Sequence, residues 1–224
     1  WDTIRPDQYA KEGVFTVNGR LEGTQLTTKL HVRVSAKTEQ GANISDQWTG
    51  SELPLAFASD SNPSDPVSNV NDKLISFNDR PANRWTNWNR TNPEASVGVL
   101  FGDSGILSKR SVDNLSVGFH EDHGVGVPKS YVIEYYVGKT VPTAPKNPSF
   151  VGEENHVFND PANWKEVSNL KAPAQLKAGE MNHFSFDKVE TYAVRIRMVR
   201  LDSKKGTSIT EVQIFAKQVA AAKQ

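Results

Sequence analysis

The chain has 224 residues, which suits one large or two small domains, and its 26 Lys and Arg residues balance its 26 Asp and Glu residues. A neutral chain is not expected to bind nucleic acid or an anionic membrane surface, which both require basic patches, and no apolar run reaches the length of a membrane span. The lack of cysteine excludes disulfides, thiolate chemistry and Cys-ligated zinc.

The N-terminal region predicts a few β-strands. Its abrupt start at Trp1, without a visible signal peptide, indicates a piece of a longer protein. Asn18-Gly19 is the strongest short hairpin signal, so a turn is predicted there. The segment TKLHVRVSA follows and places alternate residues on one face: Leu30, Val32 and Val34. KTEQGA, from Lys37 to Ala42, is polar and is predicted to be an unstructured boundary.

Beyond residue 43 the sequence predicts β-strands almost throughout. Alternation assigns these residues to inward faces: Leu115, Val117, Phe119, Tyr131, Ile133, Tyr135, Val137, Tyr192, Val194, Ile196, Met198, Val212 and Ile214. Many short strands separated by turns rich in Gly, Pro, Asn and Asp indicate a sandwich or a barrel. Two connections, residues 58–72 and 139–163, are longer than the fold requires, and such loops are usually functional or mobile.

The stretch NRWTNWNR, residues 83–90, contains two of the chain's five tryptophans. In an extended strand, residues three apart point to opposite faces, so only one of Trp85 and Trp88 can face the core. The other would lie exposed among Asn, Thr and Arg, which is an unusual environment for a large apolar ring. In a turn, both rings could pack inward.

The two parts of the chain resemble different bacterial modules. WDTIRPDQYAKEGVFTVNGRLEG followed by TTKLHVRV resembles the second half of a bacterial Ig-like domain, and residues 43 to about 217 resemble a galactose-binding-like, discoidin-type module. The segments that carry the second resemblance are A-x-A-S-x-S (56–61), N-D-x-x-I-S (71–76), NRWTNW, DNLSVGFHEDHGVGVPKSYVIEYYVG (113–138), NWKEV (163–167) and TEVQIFA. We therefore expect an Ig-like remnant at 1–36, a binding module at 43–218 and a tail at 219–224.

The whole chain resembles the carbohydrate-binding part of streptococcal-type surface β-galactosidases, carbohydrate-binding module family 71. This resemblance implies an all-β jelly-roll sandwich that binds terminal β-galactosides, such as lactose or N-acetyllactosamine, without catalysis. It also implies a monomeric, extracellular module of a larger protein anchored at the bacterial cell surface, with galactose-terminated glycans as partners. The alternatives are a protein-binding adhesion or spacer domain and a small glycosidase. A glycosidase needs two opposed carboxylates, and no strand motif pairs the available acids: Glu121, Asp122, Glu153 and Glu154.

A galactose site needs an aromatic ring against the apolar sugar face and several polar side chains for the hydroxyls. The resemblance assigns Trp85 to packing and leaves Trp88 as either the sugar platform or a second packing residue. FHEDHG, residues 119–124, places four polar side chains at a strand end, where they either bind ligand or form a solvated turn. The site is predicted where NRWTNWNR, FHEDHG and the 139–163 loop meet, with Phe150 or Phe158 as alternative stacking residues. Its candidate residues are Asn87, Trp88, Arg90, His120, Glu121, Asp122 and His123.

Oxygen-rich residues suggest a metal site. Discoidin-type modules often hold a structural calcium ion between the loop SDSNPSDPVSNVND and the last strand, and the resemblance assigns Asp72 and Glu211 to it. N-D-K stands where D-G-D is common, so one expected carboxylate is absent. Without an ion, the loop would form Asx turns. His120 and His123 beside two carboxylates also suggest a transition metal, although their spacing matches no established ligand pattern.

Overall fold

The computed structural model describes residues 1–10, 13–34, 37–38, 41–47, 52–103 and 105–216. Its strands are β1 (Gly13–Arg20), β2 (Thr27–Val34), β3 (Lys37–Thr38), β4 (Gly41–Asn43), β5 (Leu55–Ala58), β6 (Trp85–Thr86), β7 (Glu94–Leu100), β8 (Gly102–Asp103), β9 (Ile106–Leu107), β10 (Arg110–Phe119), β11 (Val125–Gly126), β12 (Ser130–Tyr136), β13 (Trp164–Glu166), β14 (Met181–Thr191), β15 (Ala193–Val199) and β16 (Gly206–Ala216). The helices in this part of the chain are α1 (Pro6–Tyr9) and short 3₁₀ turns at Val67–Val70, Pro148–Glu153, Val157–Asn159 and Pro161–Asn163. Trp48 and the predicted tail 219–224 lie outside the described residues.

Two mainly antiparallel sheets pack together as a jelly-roll sandwich. One sheet has the order β14-β10-β16-β4-β3, and β6 and β11 also pair with β16. The other sheet has the order β13-β12-β15-β7-β5. This architecture confirms the all-β prediction. Over the described ranges, no helix has the length and apolar character needed to cross a membrane.

Alternating apolar residues from both sheets fill the space between them. Val117 and Phe119 of β10 and Ile196 of β15 belong to one buried cluster, as their period-2 spacing predicts. Trp85 is fully buried in the same cluster, and its Nε1 donates a hydrogen bond to Ser61 Oγ at 2.8 Å. Trp85 is therefore the packing residue of NRWTNWNR, as predicted.

A second apolar cluster lies on the outer face of the five-stranded sheet, beneath the 139–163 loop. Phe57 and Tyr136 point there, because their strand neighbours face the main core. Phe158 stacks on Phe57 with ring centroids 4.4 Å apart and is 2% exposed. The suggestion that Phe158 stacks on a sugar is therefore wrong, because the loop uses this ring to pack on the sheet. Val137, predicted to face inward, lies beyond the end of β12 and is exposed.

Strands β1 and β2 form a separate two-stranded hairpin. Asn18 and Gly19 lie within β1 and pair with residues of β2, so the turn predicted there is wrong. The chain turns at residues 21–26, where Gly23 has the positive φ of 74° that favours glycine. Gly19 instead makes room for the ring of Trp1, which a Cβ at residue 19 would approach to 2.8 Å.

The boundary predicted at KTEQGA contains two short strands. β3 pairs with β4, and β4 pairs with the end of β16. These residues therefore extend the sheet that contains β16, and the expectation of an unstructured segment is wrong for Lys37–Thr38 and for Gly41 and Ala42. The division into a remnant at 1–36 and a module from residue 43 stays a prediction.

Candidate functional site

Arg84 and Asp122 connect two loops of the sandwich, the first preceding β6 and the second following β10. Arg84 Nη2 lies 3.1 Å from Asp122 Oδ2. Asp122 Oδ1 accepts hydrogen bonds from the backbone amides of Gly124 at 2.7 Å and Val125 at 3.0 Å. Burial acts to raise the pKa of Asp122, but the two amides, together with Arg84 and His120, lower it below its usual value. Asp122 is therefore an ionised acceptor at neutral pH.

Buried polar atoms without partners surround this ion pair. The side chain of Arg84 is 14% exposed, yet its Nε and Nη1 have no hydrogen-bond partner among the described residues. His120 is 3% exposed, and its Nε2 also lacks a hydrogen bond of ordinary geometry. That nitrogen lies 3.1 Å from Asp79 Oδ1 and 3.7 Å from Asp122 Oδ2. Because buried polar groups nearly always have partners, these atoms indicate where a polar ligand would complete the hydrogen bonding.

Trp88 presents its indole ring beside these polar groups. The residue is 47% exposed, whereas Trp85 is fully buried, so the two rings point to different environments. Gly124 leaves room for the ring of Trp88, and Gly206 leaves room for its backbone. A Cβ on Gly124 would come within 2.7 Å of Trp88 Nε1, and a Cβ on Gly206 would come within 2.9 Å of Trp88 N. The result is a half-exposed ring beside hydrogen-bonding groups, which suits a ligand with one apolar face and several hydroxyls.

Asn87 and Arg90 lie in the same stretch but have other partners. Asn87 is 2% exposed, and its Oδ1 accepts a hydrogen bond from Thr207 N at 2.6 Å, which joins the stretch to β16. Arg90 Nε lies 2.7 Å from Asp60 Oδ1, and its Nη2 lies 3.3 Å from Glu153 Oε1. Both residues therefore support the loop, and the structure does not bring their polar groups into the Arg84–His120–Asp122 cluster.

Glu121 and His123 lie on the exposed sides of the FHEDHG turn. Glu121 Oε1 is 3.1 Å from the ammonium group of Lys205, in the loop between β15 and β16. The long 139–163 loop contacts NRWTNWNR at Arg90. The ring centroid of Phe150 in this loop lies 5.5 Å from Arg90 Cζ. Two of the three predicted segments thus meet at the cluster, and the third meets only the Arg90 end of NRWTNWNR.

Arg84 and Asp79 of this cluster were not among the residues predicted from the sequence. The alternation that separates Trp88 from Trp85 also places Arg84 on the side of Trp88, so the signal for Arg84 was present in the same stretch. Asp79 lies in an irregular segment without periodicity, and no sequence signal marked it. Among the described residues, one group of His and acidic side chains is close enough to hold a metal ion: Asp79, His120 and Asp122, whose ligand atoms lie within 4.8 Å of one another.

Glu211 forms a second polar site, in the interior of the sheet that contains β16. It is 0% exposed, and neither carboxylate oxygen has a hydrogen bond of ordinary geometry among the described residues. Burial raises the pKa of Glu211 to about 9, and the carboxylates of Asp46 and Asp72 add to this effect. The backbone amide and ammonium group of Lys73 act in the opposite direction. A buried acid beside two other acids is unfavourable unless a proton or a cation neutralises it.

Comparison with known families gives a match over residues 56–212 to the family described as beta-galactosidase-like, galactose-binding domain. The chain belongs to this family. A structure from the Streptococcus pneumoniae β-galactosidase BgaA is 92% identical, with a TM-score of 0.78, and the match covers 79% of this chain and 99% of that chain. The chain is thus a carbohydrate-binding module of the BgaA type and not a catalytic domain. Comparison with curated proteins gives no match.

Two more distant structures are also similar to the chain. Chitosan-binding module 1 of a Paenibacillus sp. IK-5 chitosanase/glucanase is 15% identical, with a TM-score of 0.50, over 78% of this chain and 98% of that one. The family 32 module of Clostridium perfringens NanJ, solved with galactose, is 16% identical, with a TM-score of 0.47, over 71% and 91% of the two chains. At this identity the first likeness shows the jelly-roll fold alone.

Proposed function

We propose that the module binds terminal β-galactosides, as in lactose or N-acetyllactosamine, between Trp88 and the Arg84–His120–Asp122 cluster. The observation that carries the proposal is the pair of unpartnered, buried Arg84 donors beside a half-exposed tryptophan. Galactose has one apolar ring face. Its C4 hydroxyl is axial and points to one side of the ring, so C–H bonds are grouped together on the opposite side. An indole ring can cover that face while the cluster binds the hydroxyls.

Each polar residue has a distinct role in this proposal. Arg84 donates through Nε and Nη1, and ionised Asp122 accepts through Oδ2. His120 donates or accepts through Nε2, according to its tautomer. Glu121 and His123 lie at the exposed edge, where they meet the neighbouring sugar. Asn87 and Arg90 hold the loop that presents Trp88, through Thr207 and Asp60.

Calorimetric titration with lactose, N-acetyllactosamine and cellobiose tests the ligand class. Lactose and N-acetyllactosamine should bind, because both end in galactose, whose C4 hydroxyl is axial. Cellobiose ends in glucose, whose C4 hydroxyl is equatorial, and should not bind. No reducing sugar should be released from lactose. Equal binding of all three disaccharides, or of none, would contradict the proposal, and binding of none would favour a protein-adhesion role.

Substitution of Arg84 tests the location of the site. Arg84→Met keeps the apolar stem and removes both donors, and a lost hydrogen bond to a charged group costs about 1.5–3 kcal/mol, or roughly a tenfold to hundredfold loss of affinity. Arg197→Met is the matched control, because Arg197 pairs with Glu94 and Glu134 in the five-stranded sheet. Unchanged affinity in a folded Arg84→Met variant would place the sugar elsewhere.

We also propose that Asp72 and Glu211 hold a structural calcium ion. The unpartnered, buried oxygens of Glu211 fit a hard cation that takes six to eight oxygen ligands, and backbone carbonyls supply the remainder. Elemental analysis of the purified module, and calcium titration after chelation, test this directly. No bound calcium and no heat of binding would remove the site.

We propose, finally, that the module acts outside the bacterial cell as a monomeric part of a larger surface β-galactosidase that it directs to galactose-terminated glycans. The 92% identity to a part of the pneumococcal β-galactosidase BgaA supports this setting. Binding of the purified module to a glycan array, with loss of cell-surface staining after β-galactosidase treatment of the glycans, tests it. Sedimentation that gives a dimer mass would contradict the monomeric state.

A further inference from the structure

A groove of about 1460 Å³ lies beside strands β10 and β14, and its lining shares no residue with the Trp88 site or the proposed calcium site. The lining comes mainly from residues 113–116 of β10, residues 181–187 of β14 and the segment 169–177, which precedes β14. Sites for small molecules usually have volumes of about 300–1,000 Å³. The groove therefore has room for a ligand larger than a typical small molecule.

The segment 169–177 forms a wall of the groove that is fixed at both ends. Near its start, the backbone amide of Lys171 donates to Ser185 O at 2.7 Å, and the amide of Ser185 donates to Lys171 O at 3.0 Å. At its end, the amide of Lys177 donates to Asn182 Oδ1 at 2.9 Å. Because a ligand would not have to order this wall, the groove is pre-organised for binding.

A buried acceptor without a partner lies on β10 in this groove. Leu115 and Val117 of β10 point into the main core. Alternation therefore turns Asn114 and Ser116 to the opposite face of the sheet. Asn114 is 9% exposed and lines the groove, and its Oδ1 has no hydrogen-bond partner in the part of the chain that the structure describes. Because buried polar atoms nearly always have partners, this oxygen indicates where a ligand would place a donor.

His183 of β14 adds a second polar group to the groove. Its Nδ1 lies 2.7 Å from Ser116 Oγ, across the pairing between β10 and β14. The residue is exposed and lines the groove. A histidine ring that is held through one nitrogen has a second nitrogen with which it can bind a ligand. Asn114 and His183 therefore offer neutral hydrogen-bonding groups on neighbouring strands.

The charges along the groove are nearly balanced. Two lysines and three acidic residues line it, and Lys177 Nζ lies 3.3 Å from Glu180 Oε1. Asp187 Oδ2 accepts a hydrogen bond from Asn169 Nδ2 at 2.8 Å. A nucleic acid or another polyanion requires a basic surface, which this groove does not have. The lining therefore favours a neutral ligand.

The edge of β14 argues against an extended peptide. β14 is the edge strand of its sheet, and peptides often bind by adding a strand to such an edge. Here Lys171 already pairs with Ser185, and Ser168 O accepts a hydrogen bond from the amide of Asp187 at 2.9 Å. A ligand that is bound through side chains instead of main-chain pairing fits the groove better.

We propose that this groove is a second carbohydrate-binding site, which binds the internal sugar residues of a neutral oligosaccharide through Asn114 and His183. Residues 172–174 of the wall, Ala-Pro-Ala, line the groove and provide apolar surface for the C–H faces of sugar rings. The choice of N-acetyllactosamine repeats as the ligand rests on the proposed function, whereas the groove itself does not require a terminal galactose.

The probe is a trimer of N-acetyllactosamine from which β-galactosidase has removed the terminal galactose, so that the Trp88 site has no galactose to bind. Calorimetric titration should show that this pentasaccharide binds wild type. Ser185→Tyr should weaken binding at least tenfold, because Ser185 is exposed and lines the groove, so a ring there would fill it. Ser130→Tyr, at an exposed position of β12 outside the groove, is the matched control. Asn114→Leu should weaken binding about twofold to tenfold, as expected for one lost neutral hydrogen bond.

The outcomes separate this site from the galactoside site. No binding of the pentasaccharide to wild type, or equal affinities of folded Ser185→Tyr and Ser130→Tyr, would overturn the groove site. Arg84→Met should lose affinity for N-acetyllactosamine and keep its affinity for the pentasaccharide. Loss of both ligands in folded Arg84→Met would mean that one site binds both, and would also overturn the groove. Pentasaccharide binding that only Ser185→Tyr weakens, with no binding of N-acetyllactosamine to wild type, would support the groove and refute the galactoside site.

Discussion

Replacement of Trp85 by alanine should destabilise the module far more than replacement of Trp88, although the two residues are only three positions apart. Trp85 is fully buried in the main core, whereas almost half of Trp88 is exposed. Truncation of a large, buried aromatic side chain costs about 3–5 kcal/mol. The Nε1 of Trp85 also donates to Ser61 Oγ, which is itself completely buried and would lose its donor.

For a domain of this size, each kcal/mol shifts the melting temperature by about 2–4 °C, so Trp85→Ala should lower it by about 6–20 °C. Trp88→Ala removes a ring that is only partly packed, and should lower it by about 4 °C or less. Sugar affinity should show the reverse order. Trp88→Ala should lose measurable lactose binding, and Trp85→Ala should keep it while the module is folded.

Thermal unfolding followed by circular dichroism, together with calorimetric titration at 10 °C below each melting point, measures both effects. Trp85→Phe is an informative control, because it keeps an aromatic ring in the core but removes the Nε1 donor to Ser61 Oγ and Asp60 O, so it should destabilise the module less than Trp85→Ala. Equal destabilisation by Trp85→Ala and Trp88→Ala would refute the assignment of packing and binding to separate rings.

Three other predictions concern the loops and the buried charges. Gly124→Ala should weaken lactose binding, because its Cβ would come within 2.7 Å of Trp88 Nε1. Gly126→Ala makes only ordinary contacts and should bind lactose normally, and calorimetric titration of both variants checks this. Glu134→Ala should cost about 3–5 kcal/mol in chemical denaturation, because it leaves the buried guanidinium of Arg195, 2.7 Å away, without its carboxylate. The pKa of Glu211 is raised to about 9 in the folded chain, so the stability that its proton provides is present below about pH 4.5 and is lost as the pH rises toward 9. In EDTA, the melting temperature of wild type should fall between about pH 4.5 and 9, and that of Glu211→Gln should change less over the same range. The same pH dependence in both proteins would contradict this.

Alternation predicted the core strands well because burial on one face leaves a regular trace in the sequence. Val117 and Phe119 follow that rule in β10, and Trp85 follows it at the edge of the same sheet. The Asn18-Gly19 prediction failed because glycine has two uses that sequence cannot separate. One is a turn, and the other is close approach of a neighbour, here the ring of Trp1.

The candidate site was predicted in part. The polar and aromatic side chains of each loop can be read from the sequence, but the way in which the loops come together depends on contacts between distant residues. FHEDHG and NRWTNWNR do meet, through the ion pair between Arg84 and Asp122. The long 139–163 loop was expected to join them, yet Phe158 packs on Phe57, which is about a hundred positions away in sequence. This contact depends on which face of the sheet the loop covers, and the loop has no periodic pattern from which that face could be predicted.

Strand β16 joins the two proposed sites, and this raises the question of whether calcium influences sugar binding. Thr207 holds Asn87 and so the segment of Trp88, whereas Glu211 lies four residues further along, at about 13 Å. Between them the register with β10 shifts, so that Thr210 is the extra residue of a β-bulge and interrupts the regular pairing. Sites this far apart usually behave independently. Calcium at the proposed site would bind only the folded state, so chelation should lower the melting temperature, while the dissociation constant for lactose should change by less than about twofold. A dissociation constant that rises in step with the removal of calcium would mean that the bulge does not isolate the two ends of the strand.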